Sequence, residues 1–145
     1  KLAAGGAACV VGAGTAVTFD AVSGDGRHLG GLILAGAPLA AAALAAHTSN
    51  IGATAPSAQA RPQGLELLGR STDAAVGNGA MLALAAAVDR AVATVDAALG
   101  ARSKVYVTGG DGPQLRGWLE THTEPRADLV LEGLALFAAS AAERT

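Results

Sequence analysis

Residues 9–34 place the strongest restriction on the fold, because they contain three β-type runs separated by two glycine-rich turns. The first run, residues 9–12, is apolar and β-branched. In the second, residues 16–22, apolar and polar side chains alternate with the period of a half-buried strand. The third, residues 27–34, follows a turn at residues 23–26 whose glycines can adopt positive φ angles. The pattern predicts a three-stranded antiparallel meander.

A long amphipathic helix is predicted downstream of the meander. Ser71 or Thr72 can cap its start, and Gly100 can end it. Its apolar side chains recur at spacings of three and four residues, which places them on one stripe of the helix. They are Leu84, Val88, Val92, Val95 and Leu99.

The other segments complete an alternation of helices and strands. Pro38 can begin a helix that ends near His47, and residues 49–69, rich in Pro, Gly and Ser, predict a long loop. After the long helix come a strand at residues 104–108, a helix entered through Pro113, a strand at residues 129–131 and a helix at residues 133–142. This order predicts an α/β domain.

Composition limits the class of protein further. The chain has 145 residues, about one domain, and its 51% hydrophobic and 15% charged residues exclude a disordered chain. A net charge of −2 without a basic block indicates neither a nucleic-acid nor a membrane partner. The most apolar stretch, residues 32–46, is shorter than the roughly 20 residues that a membrane span needs. The single cysteine, Cys9, excludes an intramolecular disulfide, fits a reducing cytoplasm and is predicted to pack in the core.

Two glycine turns are candidate phosphate sites. In Gly12-Ala13-Gly14-Thr15 the glycines let backbone N–H groups approach an anion, and the hydroxyl of Thr15 adds a donor. Gly109 and Gly110 end a predicted strand before a helix, where a nucleotide can lie against exposed backbone. Taken singly, each turn is explained better by tight packing of the chain.

Other polar side chains give weaker indications. Asp20 lies on the polar side of a predicted strand, whereas Asp25, between two glycines, is a turn former. Ser71 and Thr72 have hydroxyls that either a helix cap or a ligand contact explains. The histidines lack the spacing of metal ligands; they are His28, His47 and His122.

Six segments, taken in order, resemble the type III pantothenate kinases of the actin-like, hexokinase and Hsp70 ATPase superfold. They are VVGAGTAVTFD (10–20), DGRHLGGLILAG (25–36), His47-Thr48, GRSTDAAVGNG (69–79), VTGG (107–110) and LVLEGLALFA (129–138). The resemblance implies a ribonuclease H-like half-domain, in which a three-stranded antiparallel meander is followed by alternating helices and strands. It also implies that residues 1–145 are the C-terminal half-domain of a two-half kinase, whose N-terminal half is absent from this chain.

The activity implied by the resemblance is ATP-dependent phosphorylation of pantothenate to 4'-phosphopantothenate, the first step of coenzyme A biosynthesis. The resemblance also implies a cytoplasmic homodimer that uses ATP, Mg²⁺ and a monovalent cation, K⁺ or NH₄⁺. Such phosphoryl transfer needs two oxygens in line, neutralised charge and a carboxylate that takes the hydroxyl proton.

The implied site residues follow from the matched motifs. Gly14 and Thr15 fall on ATP-contacting positions, and Gly109 and Gly110 fall on the glycine pair near the adenosine. Thr72 falls on the threonine that binds pantothenate close to the dimer partner. The family's proton-accepting aspartate, in a Gly-x-Asp-Arg segment, does not occur in residues 1–145. No catalytic residue is therefore expected in this chain, which alone is expected to be inactive.

One departure from the family concerns the cation. The acid of the family's Asp-x-Gly-Thr sequence, which binds the monovalent cation, is Gly12 here. Glycine offers only its carbonyl oxygen, so the metal ligands are left unknown, with Asp20 as a candidate replacement. Gly12 also motivates an alternative function, a non-catalytic dimerising or regulatory relative. A sugar kinase of the same superfold is a further alternative.

Overall fold

Five strands form the sheet of this computed structural model, which describes residues 6–52 and 61–142. They are β1 (Ala8–Ala13), β2 (Ala16–Val22), β3 (His28–Ala35), β4 (Lys104–Thr108) and β5 (Glu124–Pro125), in the order β3-β2-β1-β4-β5. The first three strands are antiparallel neighbours, whereas β4 pairs in parallel with β1, and β5 with β4. The predicted meander and the α/β class are therefore confirmed.

Helices follow β3, β4 and β5 in the chain. They are α1 (Ala37–His47), a 3₁₀ helix (Gly64–Leu67), α2 (Thr72–Leu99), α3 (Gly112–Arg116) and α4 (Leu129–Ala142). The described helices include none that is both long and apolar enough to cross a membrane.

The core lies between one face of the sheet and α2. Alternate residues of β1 and β2, including Val11 and Phe19, are buried there, because successive side chains of a strand point to opposite faces. The predicted stripe of α2 covers them: Leu84, Val88 and Val92 are buried, and only the last residue, Leu99, is exposed. Trp118, which follows α3, closes the core and is 1% exposed.

Cys9 lies inside this core with no exposed surface, as predicted. Burial raises the pKa of its thiol, the largest influence on that group. Since the thiolate is the reactive form, we expect a disulfide reagent to modify Cys9 only when the chain unfolds. Cys9 is the sole cysteine of the sequence. The coloured thiolate that the disulfide reagent releases on reaction therefore reports on Cys9 alone. Fast modification at neutral pH without denaturant would contradict the prediction.

Helix α2 has well-defined ends. The hydroxyl of Ser71 accepts a hydrogen bond from the backbone N–H of Ala74 at 3.3 Å, so Ser71 is the N-cap and Thr72 is the first helical residue. At the other end Gly100 adopts a left-handed conformation, with φ of 63°, which glycine tolerates without steric cost. The structure thus decides which of the two candidate hydroxyls caps the helix.

The predicted strand at residues 129–131 is wrong, and so is the predicted start of the last helix at residue 133. Leu129 opens α4, and the N–H of Glu132 donates to the carbonyl of Asp128 at 2.9 Å, a helical bond that closes the first turn. Three consecutive apolar residues fit a buried strand and a helix equally well, and the pattern alone cannot separate the two. The strand beside β4 is instead the two-residue β5.

The segment predicted as a long loop, residues 49–69, contains the 3₁₀ helix, and its residues 53–60 lie outside the described parts of the chain. The buried side chain of Asn78 donates to the carbonyl of Leu67 at 3.0 Å and so ties the end of this segment to α2. Gly69 lies against the first turn of α2, where a Cβ atom would be 2.3 Å from the nitrogen of Ala75. The glycine is therefore required for this close approach.

Candidate functional site

The turn between β1 and β2 stands at the end of the sheet and is held in place by backbone contacts. The N–H of Gly36, just before α1, donates to the carbonyl of Thr15 at 2.9 Å. A Cβ atom on Gly36 would be 2.3 Å from the carbonyl oxygen of Gly14, so only glycine permits this approach. The turn is thus clamped from one side, while the Thr15 side chain stays exposed.

The second glycine turn lies directly against the first. Because β4 is the parallel neighbour of β1, with Thr108 opposite Gly12, the two strands end together at their carboxyl ends. Gly109 has a φ of 94°, and a Cβ atom there would be 2.1 Å from the carbonyl oxygen of Ala13. The N–H of Asp111 donates to that same oxygen at 3.2 Å. The two turns, separated by about a hundred residues in sequence, form one structural unit.

The glycines of this unit differ in whether their surroundings leave space for a side chain. A Cβ atom on Gly110 would have no atom within 4 Å, and one on Gly14 would meet only the carbonyl oxygen of Ala16 at 3.9 Å. Neither glycine has a positive φ. Their small size is therefore not required by packing in the described parts of the chain, which leaves room for a ligand to approach the backbone.

A crevice of about 10 Å³ lies between the turn, the start of α1 and α3. Its lining includes Gly14, Pro38, Met81 and Asp111. Small-molecule sites usually enclose roughly 300 Å³ or more, so this crevice can contact a nucleotide but cannot enclose one. The crevice lies at the carboxyl ends of the parallel strands β1 and β4, the edge at which ligands of open α/β sheets generally bind.

Thr72 is not part of this unit. It is exposed on the first turn of α2, nine positions before Met81, which lines the crevice. At a rise of 1.5 Å per residue the two positions are about 13 Å apart along the helix axis.

Asp20 and Gly12 line one cavity together, whereas Asp25 does not line it. On the exposed surface, the carboxylate oxygen Oδ1 of Asp20 lies 3.0 Å from Nε2 of His28, within hydrogen-bonding distance. Asp25 is a turn residue, as predicted: a hydrogen bond from the hydroxyl of Ser23 holds the pKa of its carboxyl below the ordinary value. Across residues 6–52 and 61–142, no three His, Cys, Asp or Glu side chains are grouped as metal ligands.

Sequence reasoning missed a larger cavity on the other face of the sheet. It holds about 770 Å³ and lies beneath α4, between Gly12 and Tyr106 on the sheet and Leu129 on the helix. Arg126 sits 5.9 Å from the centre of the Tyr106 ring and pairs with Glu132. The sequence did not reveal this cavity, because residues 129–131 were predicted to form a strand. A strand at this position would not bring these side chains together.

The sheet order and the two touching turns define a half-domain of the actin-like ATPase fold. The family model of the type III pantothenate kinases matches residues 1–94. A type III pantothenate kinase of Nitrosococcus oceani is 38% identical over 129 residues, which are 89% of this chain and 47% of that protein. One of Ectopseudomonas mendocina is 42% identical over 131 residues, covering 90% and 52%. The chain belongs to the type III pantothenate kinase family.

Two further findings describe how far the similarity to these proteins extends. The chain spans about half the length of the curated relatives that it matches. A crystal structure from Campylobacter jejuni, described as a conserved Baf family transcriptional activator, matches with a TM-score of 0.58 over 98% of this chain and 63% of that one. At 24% identity this likeness shows the fold alone.

Proposed function

We propose that this chain is the C-terminal half-domain of a kinase that transfers the γ-phosphoryl group of ATP to pantothenate, giving 4'-phosphopantothenate and ADP. The observation that carries the proposal is the unit formed by the β1–β2 turn and the Gly109 loop, in a chain of this family. Phosphoryl transfer relies on positioning and on charge stabilisation. We propose that the backbone of the two turns and the exposed hydroxyl of Thr15 contribute to both.

The ATP-binding roles are divided among the residues of this unit. Thr15, exposed at the turn, is proposed to donate its hydroxyl to a phosphate oxygen, and Gly14 to let the phosphates approach the backbone. Gly110 is proposed to lie beside the adenosine, where its open surroundings leave room for the ligand. Gly109 is proposed to contribute by holding its loop against Ala13, which positions Gly110 beside the β1–β2 turn.

Mg²⁺ is the divalent cation expected for this chemistry, since it bridges phosphate oxygens and needs only one or two protein carboxylates. Asp111 is the carboxylate among the residues that line the crevice, and it can provide one such ligand. When bound, Mg²⁺ neutralises charge that develops on the phosphates. The proton acceptor is proposed to belong to the part of the kinase outside this chain.

Pantothenate is proposed to bind at Thr72. Because Ser71 already caps α2, the hydroxyl of Thr72 is not needed for the helix and can donate to a ligand. In the full-length protein, we expect Thr72→Ala to raise the pantothenate KM by about 2- to 10-fold, the worth of one neutral hydrogen bond. The Thr72→Ser variant, which keeps the hydroxyl, should restore the KM.

Ser71→Ala is the matched control, since it removes the neighbouring hydroxyl and with it the helix cap. We expect it to cost about 1 kcal/mol in the free energy of unfolding and to leave the pantothenate KM unchanged. The assignment of Thr72 fails if Thr72→Ala lowers stability at constant KM, or if both variants change the KM alike.

The two-half arrangement is supported by the surface of α4. Val130, Leu134 and Phe137 recur at spacings of four and three residues, and they are 64%, 59% and 74% exposed. Monomeric proteins rarely expose such a continuous apolar stripe. We propose that the N-terminal half-domain covers it in the full-length kinase, in keeping with relatives of twice the length.

A homodimer and a cytoplasmic location are also proposed. Apolar side chains are exposed on the edge strand β3 and on α1, with Ile33 at 80% and Leu39 at 45%, and a second copy of the full-length protein is the proposed occupant. A molar mass twice that of one chain in light scattering would support the dimer. The lone buried cysteine suits a reducing compartment.

The experiment that tests the function measures ADP release by the full-length protein with ATP, Mg²⁺ and pantothenate. Turnover that depends on pantothenate, and not on hexoses, supports the proposal and excludes a sugar kinase. Turnover with hexoses alone would contradict it. Absence of turnover with every acceptor, in a folded dimer, would favour the non-catalytic relative that Gly12 motivates. Residues 1–145 alone should show no turnover.

A further inference from the structure

We infer that phosphoryl transfer by this protein does not depend on a monovalent cation such as K⁺ or NH₄⁺, because the position that should carry the cation's carboxylate is filled by a neighbouring hydroxyl. The inference rests on the proposed kinase function and concerns its ion requirement. The resemblance of the sequence implies such a cation, with an acid at position 12. The residues around Gly12 do not fit that role.

Gly12 lies on β1, which has β2 as its neighbour on one side and β4 on the other. It is opposite Thr18 on β2 and opposite Thr108 on β4, so the three residues form a row across the sheet. A Cβ atom added to Gly12 would be 2.9 Å from Oγ1 of Thr18, which is closer than side-chain atoms are normally found. The hydroxyl of Thr18 thus takes the space in which an acidic side chain at position 12 would start.

The side chains beside Gly12 do not replace the missing carboxylate. The hydroxyl of Thr108 donates to the carbonyl of Ala127 at 3.1 Å and is buried. Neutral hydroxyls alone attract a cation far less strongly than an ionised carboxylate does. A row of glycine and two threonines therefore offers only neutral oxygens, without the carboxylate that the resemblance implies for this site.

Asp20 lines the same cavity as Gly12 and Thr18, but its carboxylate is engaged by another residue. It pairs with Val10 on β1, two positions along the strand from Gly12, a rise of roughly 7 Å. Its carboxylate oxygen Oδ1 is instead 3.0 Å from Nε2 of His28.

The first test compares ADP release by the full-length protein in KCl, NH₄Cl, NaCl and choline chloride at equal ionic strength. We expect kcat/KM for ATP to agree within about 2-fold among the four salts. A stimulation of 10-fold or more by K⁺ or NH₄⁺ over choline would overturn the inference. Absence of turnover in all four salts would count against the kinase function, and the second test then decides the inference by itself.

The second test needs no turnover. Thermal unfolding of the full-length protein is followed in KCl and in choline chloride, for the wild type, Gly12→Asp and the matched control Gly12→Asn. We expect equal Tm values in the two salts for the wild type and for Gly12→Asn, and a K⁺-specific rise for Gly12→Asp. A K⁺-specific rise in the wild type, or none in a folded Gly12→Asp, would overturn the inference.

Gly12→Asp could fail to fold because of the contact with Thr18. The double variant Gly12→Asp with Thr18→Ala removes the obstructing hydroxyl and carries the same expectation, a Tm that rises in KCl over choline chloride. Thr18→Ala alone serves as its control and should not respond to K⁺. If the folded double variant shows no response to K⁺, the missing carboxylate is not what abolishes the site.

Discussion

Replacement of Gly109 by alanine is expected to lower the free energy of unfolding by about 4 kcal/mol, the largest effect of any single methyl group at the site. Two penalties combine. A residue with a Cβ atom at a φ of 94° is strained by about 1–3 kcal/mol. The added Cβ atom would also lie 2.1 Å from the carbonyl oxygen of Ala13, and overpacking of this kind costs about 1–3 kcal/mol. The atoms that the added Cβ atom would meet belong to the backbone of Ala13. No flexible side chain can therefore move away to relieve the overlap.

The neighbouring glycine provides the control for this prediction. Gly110→Ala adds the same methyl group one residue later, where no atom lies within 4 Å and φ is not positive. Its effect on stability should stay within about 0.5 kcal/mol, as for other surface substitutions. Denaturant unfolding of the full-length variants measures both. Equal stabilities of Gly109→Ala and Gly110→Ala would show that the loop is not locked against Ala13.

The sequence allowed the meander and the long helix to be predicted, because both depend on periodic burial that local spacing reveals. Val17 and Phe19 on β2, and Leu84 and Val88 on α2, all lie in the core where their spacing places them. The meeting of the two glycine turns was expected only from the family resemblance. Its physical origin is the parallel pairing of β1 with β4, a contact between distant segments that no local pattern contains.

Other features depend on three-dimensional contacts that the sequence does not carry. Gly109 and Gly110 are the same residue type in adjacent positions, yet only Gly109 is locked by its neighbours. Ser71 and Thr72 are both good caps by residue type, and the extended backbone at Ser71, with φ of −128° and ψ of 160°, makes Ser71 the cap. The run at residues 129–131 was predicted to be a strand because three apolar residues fit a strand and a helix equally well. The bond from the N–H of Glu132 to the carbonyl of Asp128 shows that it is helical.

The Gly12 substitution illustrates a different limit. A missing acid can be recognised in the sequence, and Asp20 was a reasonable candidate to replace it because it lies on the same face of the next strand. In the register of the sheet, Gly12 is opposite Thr18 and Asp20 is opposite Val10, and the role of Asp20 stays a prediction. A shift of two residues along a strand keeps the face but moves a side chain by roughly 7 Å. A shared face is therefore not enough to make two residues share a ligand.

The effect on catalysis should be largest at Thr15. In the full-length protein, Thr15→Val is expected to lower kcat/KM for ATP by about 10- to 150-fold, because a hydrogen bond to a charged group is worth about 1.5–3 kcal/mol. Thr15 is exposed on the β1–β2 turn, so the free energy of unfolding should change by no more than about 0.5 kcal/mol. Steady-state ADP release at saturating pantothenate, with a parallel unfolding curve, separates the two quantities.

Two variants sharpen the test of the turn. Thr15→Ser keeps the hydroxyl and should retain most of the wild-type kcat/KM for ATP. Gly14→Ala adds a methyl group whose nearest neighbour, the carbonyl oxygen of Ala16, is 3.9 Å away, so the fold should tolerate it while the phosphates lose their close approach to the backbone. Because Thr72 is about 13 Å from the crevice along α2, the pantothenate KM should stay constant in both variants. A rise in the pantothenate KM with unchanged ATP kinetics would place the acceptor, not the nucleotide, at this turn.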